Sequence, residues 1–163
     1  MVPPMSKSLK RVKTALRDAG LPDEVLEVGQ ARTAAEAAEA AGCHLDQIAK
    51  SIIFGAEDTG QAVLFLTAGG NRVDGDRAGT IAGTKLGKAD AALIRTQTGF
   101  AIGGVSPIGH LSPIRAWFDP RLLNFDVVWA AAGTPRHIFP IDPQILLNLT
   151  GAELAEFTVC QKM

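Results

Sequence analysis

Gln47-Ile48-Ala49-Lys50-Ser51-Ile52-Ile53-Phe54-Gly55-Ala56-Glu57-Asp58-Thr59-Gly60-Gln61-Ala62-Val63-Leu64-Phe65-Leu66 is the stretch on which the fold class turns. Ser51 to Phe54 and Ala62 to Leu66 are β-rich runs. Glu57-Asp58-Thr59-Gly60 between them is turn chemistry, so the segment reads as an antiparallel hairpin. Short strands and short helices interleave around it with no regular βαβ period. That favours an α+β fold over a doubly wound parallel sheet. The expected architecture is a mixed sheet, curled into a barrel and surrounded by short helices.

Working outward toward the N-terminus, Thr33-Ala34-Ala35-Glu36 is a capping box ahead of an alanine-rich helix that stops near Gly42. Val25 to Val28 is a short strand candidate. Ser6 to Ala19 carries Leu9, Val12, Leu16 and Ala19 at helical spacing. Lys7, Lys10, Arg11, Lys13 and Arg17 fill most of the rest of that helix, either as a solvated face or as a patch for nucleic acid. Gly20-Leu21-Pro22 ends it.

Toward the C-terminus, Asp74 to Ala82 and Ala89 to Thr98 read as helices, and Arg115 to Phe118 as a strand. Asp119-Pro120 opens a short helix to Leu123, and Asp142-Pro143 repeats the device and opens one to Leu149. Val127 to Ala131, His137 to Ile141 and Glu156 to Val159 are the remaining strand candidates.

The 163 residues fit one domain, 1–163. Sixteen basic against seventeen acidic residues leave a net charge of −1, so any nucleic-acid contact must come from a local patch. Cys43 and Cys160 form no C-x-x-C pair, which suits a reduced intracellular protein. The stretch from Met1 to Ser6 lacks the apolar core of a signal peptide, and no run approaches about 18 apolar residues. The expected address is the cytoplasm.

Nucleophile-elbow, H-E-x-x-H, C-x-x-C and Walker A patterns do not occur. His44, His110 and His137 are too scattered to argue a metal site, and no metal or cofactor is expected. Two other features carry the chemistry. In Gly103-Gly104-Val105-Ser106-Pro107-Ile108-Gly109, three glycines and a proline fix a backbone path that presents main-chain groups to a ligand. Phe100, Ala101 and Ile102 before it are apolar and suit the rim of a dry pocket. Composition alone leaves a tight structural turn as the competing reading. Lys50 enters a buried apolar strand, where one-sided desolvation lowers the pKa of an ammonium. It either acts on a ligand or snorkels at the strand start.

Gln47-Ile48-Ala49-Lys50-Ser51, the glycine loop and Ala130-Ala131-Ala132-Gly133 together resemble the YbaK/ProX family in order and spacing. The resemblance runs from about Leu9 to the C-terminus. These are free-standing relatives of the editing domain inserted in bacterial prolyl-tRNA synthetases. The resemblance implies a metal-independent aminoacyl-tRNA deacylase that removes a small wrong amino acid (Ala, Cys, Ser or Thr) from tRNA(Pro). It places the essential lysine on Lys50 and the catalytic loop on Gly103 and Gly104. Val105, Ser106, Pro107 and Gly109 follow as substrate contacts, with Ile53, Phe100, Ile102 and His137 around the pocket. Lys7, Lys10, Arg11, Arg72, Lys85 and Lys88 are the candidate tRNA contacts. The implied partners are the acceptor end of mischarged tRNA and prolyl-tRNA synthetase. A non-catalytic aminoacyl-tRNA or nucleotide binding module, associated with a synthetase, is the alternative. A hydrolase for another small ester or amide is a second.

Overall fold

The computed structural model describes residues 6–29 and 31–160. The reading of residues 1–5 as free of a signal-peptide core lies outside the described residues.

Local signals place most elements. The Ser6 hydroxyl accepts from Leu9 N at 3.1 Å and opens α1, Lys7–Asp18. Leu9, Val12 and Leu16 are its buried stripe, as the spacing predicts. Thr33 caps α2, Ala34–Ala41, by accepting from Glu36 N. The Glu36 carboxylate accepts from the Thr33 hydroxyl at 3.2 Å, which differs from the reciprocal main-chain bond of a full box. Asp74, Asp90 and Asp142 cap α3 (Gly75–Ala82), α4 (Ala91–Thr98) and α5 (Pro143–Thr150) in the same way.

Eight strands form one mixed sheet: β1 (Leu26–Glu27), β2 (Ile48–Ala56), β3 (Ala62–Ala68), β4 (Leu86–Lys88), β5 (Arg115–Phe118), β6 (Val128–Ala131), β7 (His137–Ile141) and β8 (Glu153–Leu154). The order is β1-β7-β6-β2-β3-β5-β8, with β4 added on β2. The central hairpin β2–β3 is antiparallel; β2–β6 and β3–β5 are parallel. Every residue of β3 is buried, because helices and loops cover both of its faces. Leu64 and Leu66 join the main core with Val12, Leu16, Phe100, Phe118 and Phe139. Val63 and Phe65 face the other side, where Phe65 stacks on Trp117 with ring centroids 4.9 Å apart. The mixed α+β architecture expected from the sequence is the one observed.

One local expectation is corrected. Glu156 to Val159 is not a ladder strand: β8 lies earlier, at Glu153–Leu154, and Thr158 makes a lone bridge to Val73. β4 escapes a sequence reading because three residues with a central glycine carry no period. The turn after Asp119-Pro120 is a 3-10 helix over Pro120–Asn124.

Candidate active site

β2 changes partners along one edge. Ile48 and Ala49 pair with β6, whereas Phe54, Gly55 and Ala56 pair with β4. Residues 50–53 have no strand partner on that edge among the described residues. A cleft of about 440 Å³ opens there. Lys50, Ser51 and Ile53 line it from β2, and Ile102, Gly103 and Val105 from the glycine loop. His137 and Thr134 close another side, held together by a 2.7 Å contact between His137 Nδ1 and the Thr134 hydroxyl. The charged side chains lining this cleft, among the described residues, are Arg32, Lys50 and Lys88. All three are cations. The remaining wall is mostly apolar, with Ile48, Ile94, Trp129 and Ile138 in it.

The glycine loop divides into a half that faces the cleft and a half that anchors it. Gly103 has φ +91°, and a Cβ there would meet nothing within 4 Å. Its main chain therefore stands bare toward open space in a conformation that favours glycine. Gly104 differs. Its N–H donates to Ala101 O at 3.0 Å, and a Cβ on it would lie 2.8 Å from the Thr134 carbonyl carbon. Gly104, expected to be catalytic, does not line the cleft: its donor is used within the turn, and it lets two backbones touch. Ser106 and Pro107 are buried and do not line the cleft. The Ser106 carbonyl accepts from His110 Nε2 at 2.6 Å. Burial pushes the His110 pKa down, the bond to Ser106 opposes this, and the Arg11 charge adds to it. The ring is thus a neutral donor at neutral pH. Gly109 and Phe100 also fall outside the cleft, Phe100 as a fully buried core residue.

Arg11 is a clamp on this loop rather than a free tRNA contact. Its Nε donates to Gly109 O and its Nη2 to Gly99 O, both at 2.7 Å. The guanidinium lies over the Phe100 ring, 4.4 Å from the centroid. The planar fork spans both ends of the loop, which no other side chain type does as well. Arg11→Met should lower the melting temperature by roughly 4–12 °C, the loss of about 2–3 kcal/mol for charge-assisted hydrogen bonds in a domain of this size. A thermal melt checks this, and an unchanged midpoint refutes the clamp. The other expected tRNA contacts, Lys7, Lys10, Arg72, Lys85 and Lys88, are exposed, and Lys88 alone of these lines the cleft.

Lys50 sits in the cleft wall, and its Nζ donates to Asn71 O at 2.6 Å. Asn71 is not part of the cleft lining. Burial, and then the Arg72 charge, push the Lys50 pKa below its ordinary value; Asp46 and Asp119 pull it back. These carboxylates fix the turn that presents Asn71. Buried Asp119 accepts from Ala68 N at 3.1 Å and from Asn71 Nδ2 at 2.8 Å. Asp46 accepts from Gly70 N at 2.7 Å and pairs with Arg121 at 3.0 Å. Sequence reasoning gave Asp119 only its capping role, which it also performs toward Arg121 N. It missed Arg32 and Asp46 altogether. No period or motif marks either residue.

Residues 28–149 match the model of the aminoacyl-tRNA editing domain. The chain belongs to this family of YbaK-like editing domains. A crystal structure of a candidate trans-editing enzyme for prolyl tRNA synthetase superposes with a TM-score of 0.88 at 44% identity, over 96% of this chain and 100% of that one. A crystal structure of a hypothetical protein gives a TM-score of 0.82 at 26% identity, over 91% and 99% of the two chains. The uncharacterized protein YwhH of Bacillus subtilis (strain 168) is 31% identical over 152 residues, 93% of this chain and 91% of that protein. The editing domain thus carries its cleft where β2 switches between β6 and β4. No described helix is long and apolar enough to cross a membrane. No group of three or more His, Cys, Asp or Glu side chains that could hold a metal occurs among the described residues.

Proposed function

We propose that this chain, acting as one editing domain over residues 1–163, hydrolyses the ester of mischarged tRNA(Pro) bearing Ala, Cys, Ser or Thr. The observation that carries the reading is a mostly apolar cleft whose charged lining groups among the described residues, Arg32, Lys50 and Lys88, are all cations. Phosphates of a terminal nucleotide fit the cations, and a small side chain fits the wall formed by Ile53, Ile102 and Val105. The structure described as a candidate prolyl-tRNA trans-editing enzyme, at 44% identity, supports the same substrate. Prolyl-tRNA synthetase is the proposed partner, and the cytoplasm the proposed place of action.

The chemistry needs no metal and no covalent intermediate. Water attacks the ester carbonyl carbon, and charge develops on the carbonyl oxygen. Main-chain N–H groups at Gly103 and Val105 stabilise that oxygen. The tetrahedral intermediate collapses, the carbon–oxygen bond to the ribose breaks, and the ribose oxygen leaves with a proton. Free amino acid and tRNA with an intact 3′ end result. Lys50, released from Asn71, holds the terminal adenosine through a phosphate or ribose hydroxyl. The neighbouring free ribose hydroxyl assists. A synthetic site rejects a slightly smaller amino acid by only a modest factor, and a second sieve supplies the remainder.

The test is a panel of misacylated tRNA(Pro) species, each timed for deacylation with wild type and Lys50→Ala. Turnover of a small-residue ester by wild type supports the reading. No turnover with any of them favours the binding module. Equal activity on free aminoacyl esters and on charged tRNA favours a general small-ester hydrolase. Salt supplies a further expected result. If three phosphates meet Arg32, Lys50 and Lys88, the logarithm of tRNA affinity should fall with log salt at a slope of about −2. A flat response in a salt titration removes the phosphate contacts.

A further inference from the structure

Ser51 lies on the stretch of β2 that pairs with neither described strand on the cleft edge, and its hydroxyl is buried without a partner among the described residues. The β2–β3 register is uniform from the Ala49–Ala68 pair to the Gly55–Ala62 pair, with no bulge. Ala56 N donates to Gln61 O across the hairpin at 2.9 Å. Main-chain groups alternate sides along an antiparallel strand, so the even-numbered residues bond β3 and the odd-numbered ones face the opposite edge. On that edge Ala49 meets β6 and Gly55 meets β4. Ile53 adjoins the first β4 pair, Phe54–Lys88. Ser51 adjoins neither strand, and it lines the cleft. Its Oγ is also buried without a hydrogen-bond partner among the described residues. A buried orphan hydroxyl is a cost that folds rarely carry without a use.

The surrounding chemistry says what would use it. An aminoacyl ester carries an α-amino group, which needs hydrogen-bond acceptors. Among the described residues, the cleft offers that group no carboxylate. Thr134 and His137 already bond each other. We infer that Ser51 reads the α-amino group of the substrate, its Oγ accepting from the amine. This rests on the deacylase reading above and assigns a residue within it.

The experiment uses a hydrolysis-resistant 3′-aminoacylamino-adenosine in two forms, one with a free α-amine and one N-acetylated. Binding of each to wild type, Ser51→Ala and Ser51→Thr is measured by calorimetry, alongside melting temperatures and deacylation of misacylated tRNA. Wild type should prefer the free amine by about 10-fold to 100-fold, the range for hydrogen bonds to a charged group. Ser51→Ala should bind both forms alike, and Ser51→Thr should keep the preference. Ser51→Ala should also melt at or above the wild-type temperature, because no bond within the protein is lost. A purely structural serine would show the reverse, a lower melting point with the preference intact. Wild type that deacylates tRNA but shows no preference, or a Ser51→Ala variant that keeps it, overturns the role of Ser51 alone. Wild type that neither deacylates nor binds either analogue overturns the functional reading, and this assignment with it.

Discussion

Lys50→Ala should deacylate mischarged tRNA about 10²-fold more slowly than wild type, the scale of loss when a contact that positions the substrate is removed. Its melting temperature should stay within a few degrees of wild type. The reason lies in what the side chain does in the free protein. Among the described residues its amine makes one hydrogen bond, to Asn71 O, and the turn carrying Asn71 is fixed independently by Asp119 and Asp46. Removing the amine leaves that turn in place. It also removes a cation from a half-buried position where burial and Arg72 already disfavour the charge. The same balance sets the pH dependence. A lysine whose pKa is lowered loses its proton as pH rises through that lowered value. The alkaline loss of nucleotide binding should therefore begin below the range of an ordinary lysine, near 10.5. Timed deacylation and a melt of the purified variant decide the matter. A wild-type rate in Lys50→Ala ends the proposed mechanism.

Gly104→Ala should be the most damaging single methyl in the loop. The added carbon would stand 2.8 Å, 2.9 Å and 3.0 Å from Thr134 C, Thr134 Cα and Pro135 N. All three are backbone atoms, so no side chain can swing aside. Either the glycine loop or the Thr134–Pro135 turn must move, and both line or support the cleft. Overpacking of this kind costs about 1–3 kcal/mol. In a domain of this size that lowers the melting temperature by roughly 2–12 °C. Activity should fall with it, because Gly103 and Val105 shift away from the positions proposed to hold the carbonyl oxygen. Gly103→Ala isolates the other cause of loss. Its methyl would enter open space, and only the φ of +91° penalises it. Gly104→Ala with a wild-type melt and a wild-type rate would show that the contact between the two backbones is dispensable.

The division of the glycine loop shows how much of the site a sequence carries. Its glycines and proline announced an unusual main-chain path, and Gly103 and Val105 do line the cleft. Nothing local told Gly103 from Gly104, since the difference is whether Thr134 lies behind the residue. Arg11 was one of five cations on an amphipathic helix until the fold set the Gly99 and Gly109 carbonyls in front of it. Lys50, Ile53, Ile102 and His137 were legible and are gathered around one cleft. Ser51 and Arg32 were not, because their significance comes from an unpaired strand edge and from the shared sign of three distant charges.

Hydrogen-bonding and steric preferences that act within a few residues were settled by the sequence alone. Ser6, Thr33, Asp74, Asp90 and Asp142 cap their helices through their own side chains, and the β2–β3 hairpin follows from two apolar runs and a turn. Tertiary structure decided everything that depends on which strand lies beside which. β6 and β4 take opposite ends of one β2 edge and leave a gap between them, which is where the cleft forms. Strand pairing across 30 to 80 residues is chosen by the packing of the whole core, and no short window of sequence contains that information.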